Sequence, residues 1–292
     1  MMISVATVIN KRLEETYLPI LLDSIIKGMP SVSEIVLAKY DAEPGFVHEE
    51  VVEGKKIVRF YSGQPKGNLP TEICVSHALN LHAAIDRASN DLVMICDGDV
   101  FFYPGVAELY KGLMDQYAIN YIGCSHPAAV TEAFTFFPNV LNVMFRKSEM
   151  PDQEFLKDHL WMSKTMGITW TESDHYFGIE RPLPGKYLLP SNVSNQSELF
   201  PNPTGHYETG CNVILWAKEK NWKWLSFQTP DVYNYSTQYQ RSNFKLTGKI
   251  PRQKILYHAT SGSIERSEAD EKFEQYKKNY ALARAAIEED EA

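Results

Sequence analysis

The chain has 292 residues, a formal net charge of −8, 44% hydrophobic and 12% aromatic residues. This composition can bury a sizeable core, which separates it from the polar, highly charged sequences that stay unfolded, and its acidity argues against a general nucleic-acid binder. The charge is uneven: nine acids face five bases from Glu265 onward, whereas residues 231–256 carry Arg241, Lys245, Lys249, Arg252 and Lys254 against Asp231 alone.

In chain order, residues 2–10, MISVATVIN, read as a strand, 12–28 as an amphipathic helix, and 33–40, SEIVLAKY, as a second strand, the opening of a parallel sheet. VVEGKKIVRFY at 51–61 reads as a hairpin turning at Gly54. Pro70-Thr71 opens a helix whose apolar face includes Ile73, Leu79, Ala83 and Ile85. DLVMIC at 91–96 is apolar after its opening Asp91, as the buried centre of such a sheet requires, and it leads into Asp97-Gly98-Asp99. From 126 to 205 prolines and aromatics break the pattern around one strand, PNVLNVMFRKS at 138–148. NVILWAKEKNWKWLSF at 212–227 reads as a helix leading into a strand, followed by the basic, tyrosine-rich segment and a short strand at KILYHAT. The last 28 residues read as a charged helix with Phe273, Tyr276, Tyr280 and Ile287 as a docking stripe.

The cysteines, Cys74, Cys96, Cys124 and Cys211, are too far apart for a zinc knuckle or a CxxC redox pair and read as reduced core residues. The N-terminus has no basic region before its short apolar stretch, and Glu132, Pro138, Asn139 and Asn142 interrupt the longest apolar run. The expectation is a cytoplasmic protein without a membrane span, in which the sequons at Asn192 and Asn195 have no role.

In open α/β sheets ligands bind beyond the carboxyl ends of the strands, where Asp97 and Asp99 lie. On a strand, residues i and i+2 point to one side, so both carboxylates would face one pocket. Hard oxygen donors at that spacing suit Mg²⁺ or Mn²⁺. A calcium loop is excluded, because Val100, Phe101, Phe102 and Tyr103 stand where further ligands would be needed. A haloacid-dehalogenase-like phosphotransferase also begins with Asp-x-Asp after an apolar strand, but typically near the N-terminus and with Thr or Val at the position of Phe101. A plain turn is the remaining alternative.

The run ISVATVIN, EIVLAKYDA and SHALNLHAAIDRASNDLVMICDGDVFF, over residues 3–102, resembles the nucleotide-binding half of GT-A glycosyltransferases, particularly family-2-like enzymes. The resemblance implies an α/β, Rossmann-like fold with a mostly parallel central sheet flanked by helices, an elaborated second half and a C-terminal helix. It implies donor-binding roles for Thr7, Asn10, Asp41, Asn80 and Asp97, with uridine more usual than guanosine, and a divalent cation, Mn²⁺ or Mg²⁺, held by Asp97 and Asp99. LYHATSGS resembles the His-containing segment that completes such a site, which adds His258 as a ligand. Lys245 and Lys249, with Arg241, Lys254 and the flexible Gly248, are candidates to close over the diphosphate.

Downstream, HYETGCNVILWAKEKNWKWLSF resembles the family segment whose acid is the base of inverting enzymes. It puts Glu208 in that role, where it would take the proton of an acceptor hydroxyl. Glu172 or Asp174 in TESDHYFG is the rival. Thr209 stands where family 2 has a second acid, and inversion or retention stays open. Trp170 and Tyr176 are candidate acceptor platforms, while Trp216 and Trp222 read as core.

The reading is thus one catalytic domain over 1–264, with a nucleotide-sugar half at 1–125 and an acceptor half at 126–264, followed by the helix at 265–292. The expected activity is transfer of a sugar from a nucleotide diphosphate sugar to a hydroxyl on a glycan or cell-surface precursor. A hydroxymethylated base in DNA is the rival acceptor, suggested by the basic 231–256 segment. A non-catalytic nucleotide-sugar or glycan binder on the same fold is the alternative of another class.

Overall fold

The computed structural model describes residues 2–63, 70–124, 138, 142–150, 217, 220–228, 233–259 and 269–290. In chain order its elements are β1 (Ile3–Ile9), α1 (Lys11–Glu15), α2 (Leu18–Gly28), β2 (Val32–Lys39), β3 (Val47–Val52), β4 (Lys55–Tyr61), α3 (Pro70–Arg87), β5 (Leu92–Cys96), β6 (Val100–Phe102), α4 (Val106–Tyr117), β7 (Tyr121–Cys124), β8 (Asn142–Arg146), β9 (Trp224–Gln228), β10 (Asn234–Ser242), β11 (Lys254–His258) and α5 (Ala269–Asp290). The early strands, the α3 start and the β3–β4 hairpin, with Glu53 and Gly54 both at positive φ, follow the sequence pattern closely.

The helix expected over 12–28 is two helices. The Thr16 hydroxyl donates back to the Arg12 carbonyl at 2.6 Å, and Pro19, without an N–H, clashes with a helical carbonyl four residues earlier. The break lets α1 lie along the carboxyl end of β1 while α2 packs against the sheet.

The eleven strands of the described residues form one sheet in the order β3-β4-β2-β1-β5-β8-β7-β9-β10-β11-β6. Parallel pairing, expected for most of the sheet, runs across β4-β2-β1-β5 and recurs at β7-β9; β3, β8, β10, β11 and β6 all join antiparallel. The sheet must also curl. β5 and β6 sit six strand spacings apart in the order, about 29 Å along a flat sheet, yet the chain from Cys96 to Val100 reaches at most about 14 Å.

Alternation along β1 and β5 sorts the core into two layers. Ile3, Val5, Ile9, Leu92 and Met94 face α2 and α4, packing with Leu21, Ile25, Val106 and Tyr110. Ala6, Val8, Val93 and Ile95 face α3, packing with Leu81, Ala84 and Ile85. The buried face of α3 therefore includes Ile85 as expected, while the side chains of Ile73 and Leu79 lie outside the described ones.

A third cluster forms where α5 covers β6 and β11, from Leu13, Tyr17, Phe101, Tyr257 and Tyr276, with Phe273 and Tyr280 against it. Three of the four docking-stripe residues thus sit where the helical spacing puts them; the Ile287 side chain lies outside the described ones. Tyr280 also donates to the Asp23 carboxylate on α2. Partial burial pushes that carboxyl up, but hydrogen bonds from Lys27 and Tyr280 outweigh it and hold Asp23 below its ordinary range. Cys96 and Cys124 are buried free thiols. Among the described residues no helix is long and apolar enough to cross a membrane.

Candidate metal and donor site

The apolar run of β5 ends at Cys96, so Asp97 and Asp99 do not stand on a strand as their i, i+2 spacing suggested. They flank a turn at Gly98 that carries the chain from β5 to the far edge of the curled sheet. The reason for the glycine is contact: a Cβ on Gly98 would sit 2.9 Å from Leu13 Cδ1 and 3.1 Å from the Val8 carbonyl oxygen. Leu13 can rotate away, but the β1 carbonyl cannot. Gly98→Ala is therefore expected to cost ~1–3 kcal/mol through overpacking, read as a lower denaturation midpoint at unchanged slope. An unchanged midpoint would show that the turn is not wedged on β1.

Antiparallel pairing of β6 with β11 sets His258 opposite Val100, the residue after Asp99. The Asp99 carbonyl also accepts from the Ala259 N–H at 3.0 Å, which fastens the turn to the end of β11. The His258 Nε2 consequently lies 3.3 Å from Asp99 Oδ1 and 4.0 Å from Asp97 Oδ2. One ligand atom from each of these residues lies within 4.8 Å of the others. Asp99 and His258 are buried, whereas the Asp97 side chain is 30% exposed, so the cluster opens to solvent on the Asp97 side. Burial pulls the His258 imidazole down, but the charges of Asp99 and Asp97 and the Asp99 hydrogen bond overcome it and hold the pKa above its ordinary value.

Two carboxylate oxygens and an imidazole nitrogen form a donor set that suits Mn²⁺, and a divalent cation would offset the repulsion of two aspartates held this close. The residues therefore fit the metal that the resemblance implied. Cys96, by contrast, is no nucleophile: burial, reinforced by the Asp97 charge, pushes its thiol well up.

Three further predicted residues gather along the same edge, two just beyond neighbouring parallel strands and one on α3. Asn10 caps α1, accepting from the Leu13 N–H at 2.8 Å and donating to the Tyr40 hydroxyl at 2.6 Å. Asp41, exposed, accepts from the Lys11 N–H at 2.5 Å. Asn80, buried on α3, accepts from the Ser62 hydroxyl just beyond β4. Thr7 is fully buried in β1 between Leu37 and Cys96, beneath this edge rather than on it.

Lys245 and Lys249 are not brought here. β10 starts beside Tyr257 at the cluster and runs nine residues to Ser242, level with Leu225 at the other end of the sheet. The segment after it is held there, Phe244 packing on Tyr117 at 5.9 Å and the Tyr117 hydroxyl bonding the Thr247 carbonyl at 3.4 Å. The expected closure of these lysines over a diphosphate is thus corrected by the direction of β10. Lys254 instead lies over the Tyr103 ring at 5.2 Å. Glu208, Glu172, Asp174, Trp170 and Tyr176 lie outside the described residues. Trp222 is core as expected, stacked on Tyr121 at 6.2 Å.

No protein-family model and no curated protein matches the chain. Solved structures overlap parts of it. The 1–349 portion of S. aureus TarS is 14% identical, over 51% of this chain and 48% of that one, with a TM-score of 0.33. The mannosyltransferase PcManGT from Pyrobaculum calidifontis, in complex with GDP-Man and Mn²⁺, is 12% identical over 50% and 44%, with a TM-score of 0.35. Mannosyl-3-phosphoglycerate synthase from Rubrobacter xylanophilus is 12% identical over 51% and 54%, with a TM-score of 0.31. The chain spans about half the length of each of these structures. Overlap of this extent names no family, and the chemistry of the site rests on its own residues.

One titratable residue within reach of the Asp99 charge escaped the sequence reading. His77, half-buried on α3, feels the Asp99 charge, yet burial wins and pushes its imidazole down to about 4. It stands three residues before Asn80, so both occupy one face of α3. That spacing was the signal available.

Proposed function

We propose that the chain is a GT-A-like glycosyltransferase that transfers a sugar from a nucleotide diphosphate sugar, with a UDP-sugar as the favoured donor, to a hydroxyl acceptor. The observation that carries this reading is the convergence of Asp97, Asp99 and His258 beside the row of strand ends that bears Asn10, Tyr40 and Asp41. β2, β1 and β5 are successive strands, so the Asp41 and Asp97 positions are two strand spacings apart, on the order of 10 Å. That is the reach of a nucleoside joined to a diphosphate.

In this reading Asp97, Asp99 and His258 hold Mn²⁺ or Mg²⁺, which when bound supplies charge that stabilises the leaving diphosphate. Asp41 and Asn10 orient the nucleoside, Asn10 partly through Tyr40. His77 remains neutral at pH 7 and can offer the site an uncharged donor or acceptor. The acceptor proton goes to a base, for which Glu208 is the preferred residue and Glu172 or Asp174 the rivals. A glycan or cell-surface precursor is the favoured acceptor, because the exposed lysines that suggested a DNA track sit at the opposite end of the sheet from the carboxylates.

The test is a thermal-shift series of nucleotide sugars with and without Mn²⁺. A cognate UDP-sugar with Mn²⁺ at a hundred times its Kd is expected to raise Tm by roughly 5–10 °C, and more than the sum of the two added singly. Donor hydrolysis in the same samples separates the enzyme from a non-catalytic binder. If no nucleotide sugar shifts Tm in the presence of Mn²⁺, the donor assignment is wrong.

A further inference from the structure

We propose that α5 is a positioning part of the candidate metal centre and that it acts through Tyr276; this rests on the metal reading above. Tyr276 is fully buried, and its hydroxyl donates at 2.6 Å to the carbonyl of Val100, the residue directly after Asp99. Its ring meets Phe101 of β6 edge-on at 5.4 Å and Tyr257 of β11, the residue before His258, at 6.1 Å. A third contact, to Tyr17 at 5.0 Å, reaches the junction of α1 and α2 beneath the turn. A single side chain therefore touches both β6, which begins directly after Asp99, and β11, which ends on His258, one residue away from a ligand in each case.

The strand geometry explains why such a brace matters. β6 has three residues and forms the last strand of the sheet, with β11 as its pairing partner. A strand that short, secured on one side, frays readily, yet metal ligands must hold their geometry to within about 0.5 Å. Phe101 points into the α5 cluster while Val100 and Phe102 point into the opposite core layer, so the helix pins the strand from the face the main core does not reach. Residues that orient ligands in this way typically change metal affinity by about 10- to 100-fold when removed.

Tyr276→Phe keeps the ring and removes only the hydroxyl. Tyr280→Phe, one turn along α5, keeps that residue's own edge-on ring contact with Phe101 at 5.1 Å and removes only the hydroxyl that reaches Asp23. In the full chain, Mn²⁺ binding followed by electron paramagnetic resonance titration is expected to be about 10-fold weaker in Tyr276→Phe and within about twofold of the unsubstituted chain in Tyr280→Phe. Metal-free melting temperatures are expected to fall by similar amounts in both. Unchanged Mn²⁺ affinity in Tyr276→Phe overturns the proposal, as does equal weakening in both variants, which would mark a merely structural helix. If Tyr276→Phe does not fold, Phe101→Leu loosens the same contact from the strand side and is held to the same outcomes. Absence of Mn²⁺ binding by the unsubstituted chain overturns the metal reading itself, and this proposal with it.

Discussion

Asp99→Asn is expected to abolish the Mn²⁺-dependent rise in Tm and to lower sugar transfer by roughly 10³-fold, while the metal-free protein keeps its melting temperature to within a few degrees. The magnitude follows from the role: charge stabilisation by a bound metal contributes several kcal/mol to a transition state, and each 1.36 kcal/mol is about a factor of ten in rate. The near-neutral effect on the fold follows from the environment. Asp99 is buried with a second carboxylate close by, so neutralising it relieves repulsion and desolvation at the same time as it removes the ion pair to His258. The amide also retains an oxygen that can face the imidazole.

This pairing of outcomes is what makes the variant informative. A variant that only damaged the fold would lose metal-free stability first and metal response in proportion. A variant that removes a ligand loses the response alone. Full transfer activity with the Mn²⁺ increment intact would remove Asp99 from the metal site and leave the turn reading of Asp97-Gly98-Asp99 in its place.

The parts of the fold that could be read from sequence are those governed by near neighbours. β1, β2 and β5 announce themselves because strands buried on both faces are dominated by apolar residues, and Asn10, Tyr40 and Asp97, which follow them, mark the edge beyond which open α/β sheets take ligands. His258 was legible for the same reason, as a polar residue ending a short apolar strand. The curl of the sheet was not, because it arises from pairing between β6 and β11, more than 150 positions apart in the chain, and no local pattern encodes it. That curl converts an expected strand end into a turn and sets His258 beside Asp99. The same distance effect misplaced Lys245 and Lys249: their charge is visible in the sequence, but the direction of β10 decides which end of the sheet receives them. α4 went unread although Val106, Tyr110, Leu113 and Met114 recur at helical spacing, whereas β7 has four residues, one of them Gly123, too few to show a period.

Gly123→Ala is expected to be the most damaging single-methyl change in the described structure, with a loss above about 4 kcal/mol, the range reserved for clashes that the surroundings cannot absorb. A Cβ at this position of β7 would stand 2.7 Å from the Val143 Cα and closer still to the Asn142 carbonyl oxygen, both backbone atoms of the paired strand β8. Unlike the contact at Gly98, no side chain here can swing aside, so β8 itself must move. β8 is also what steadies β5, the strand that leads into Asp97: Asn142 pairs with Cys96, its Nδ2 donates to the Ile95 carbonyl at 3.2 Å, and its Oδ1 accepts from the buried Tyr110 hydroxyl at 2.8 Å. The displacement therefore passes from Gly123 through Asn142 to the end of β5. Soluble yield and denaturation midpoint measure the loss of stability. Wherever enough folded variant survives, Mn²⁺ affinity is expected to fall although Gly123 touches no ligand. A variant with native stability and native metal binding would show that β7 and β8 are not packed as closely as this crossing requires.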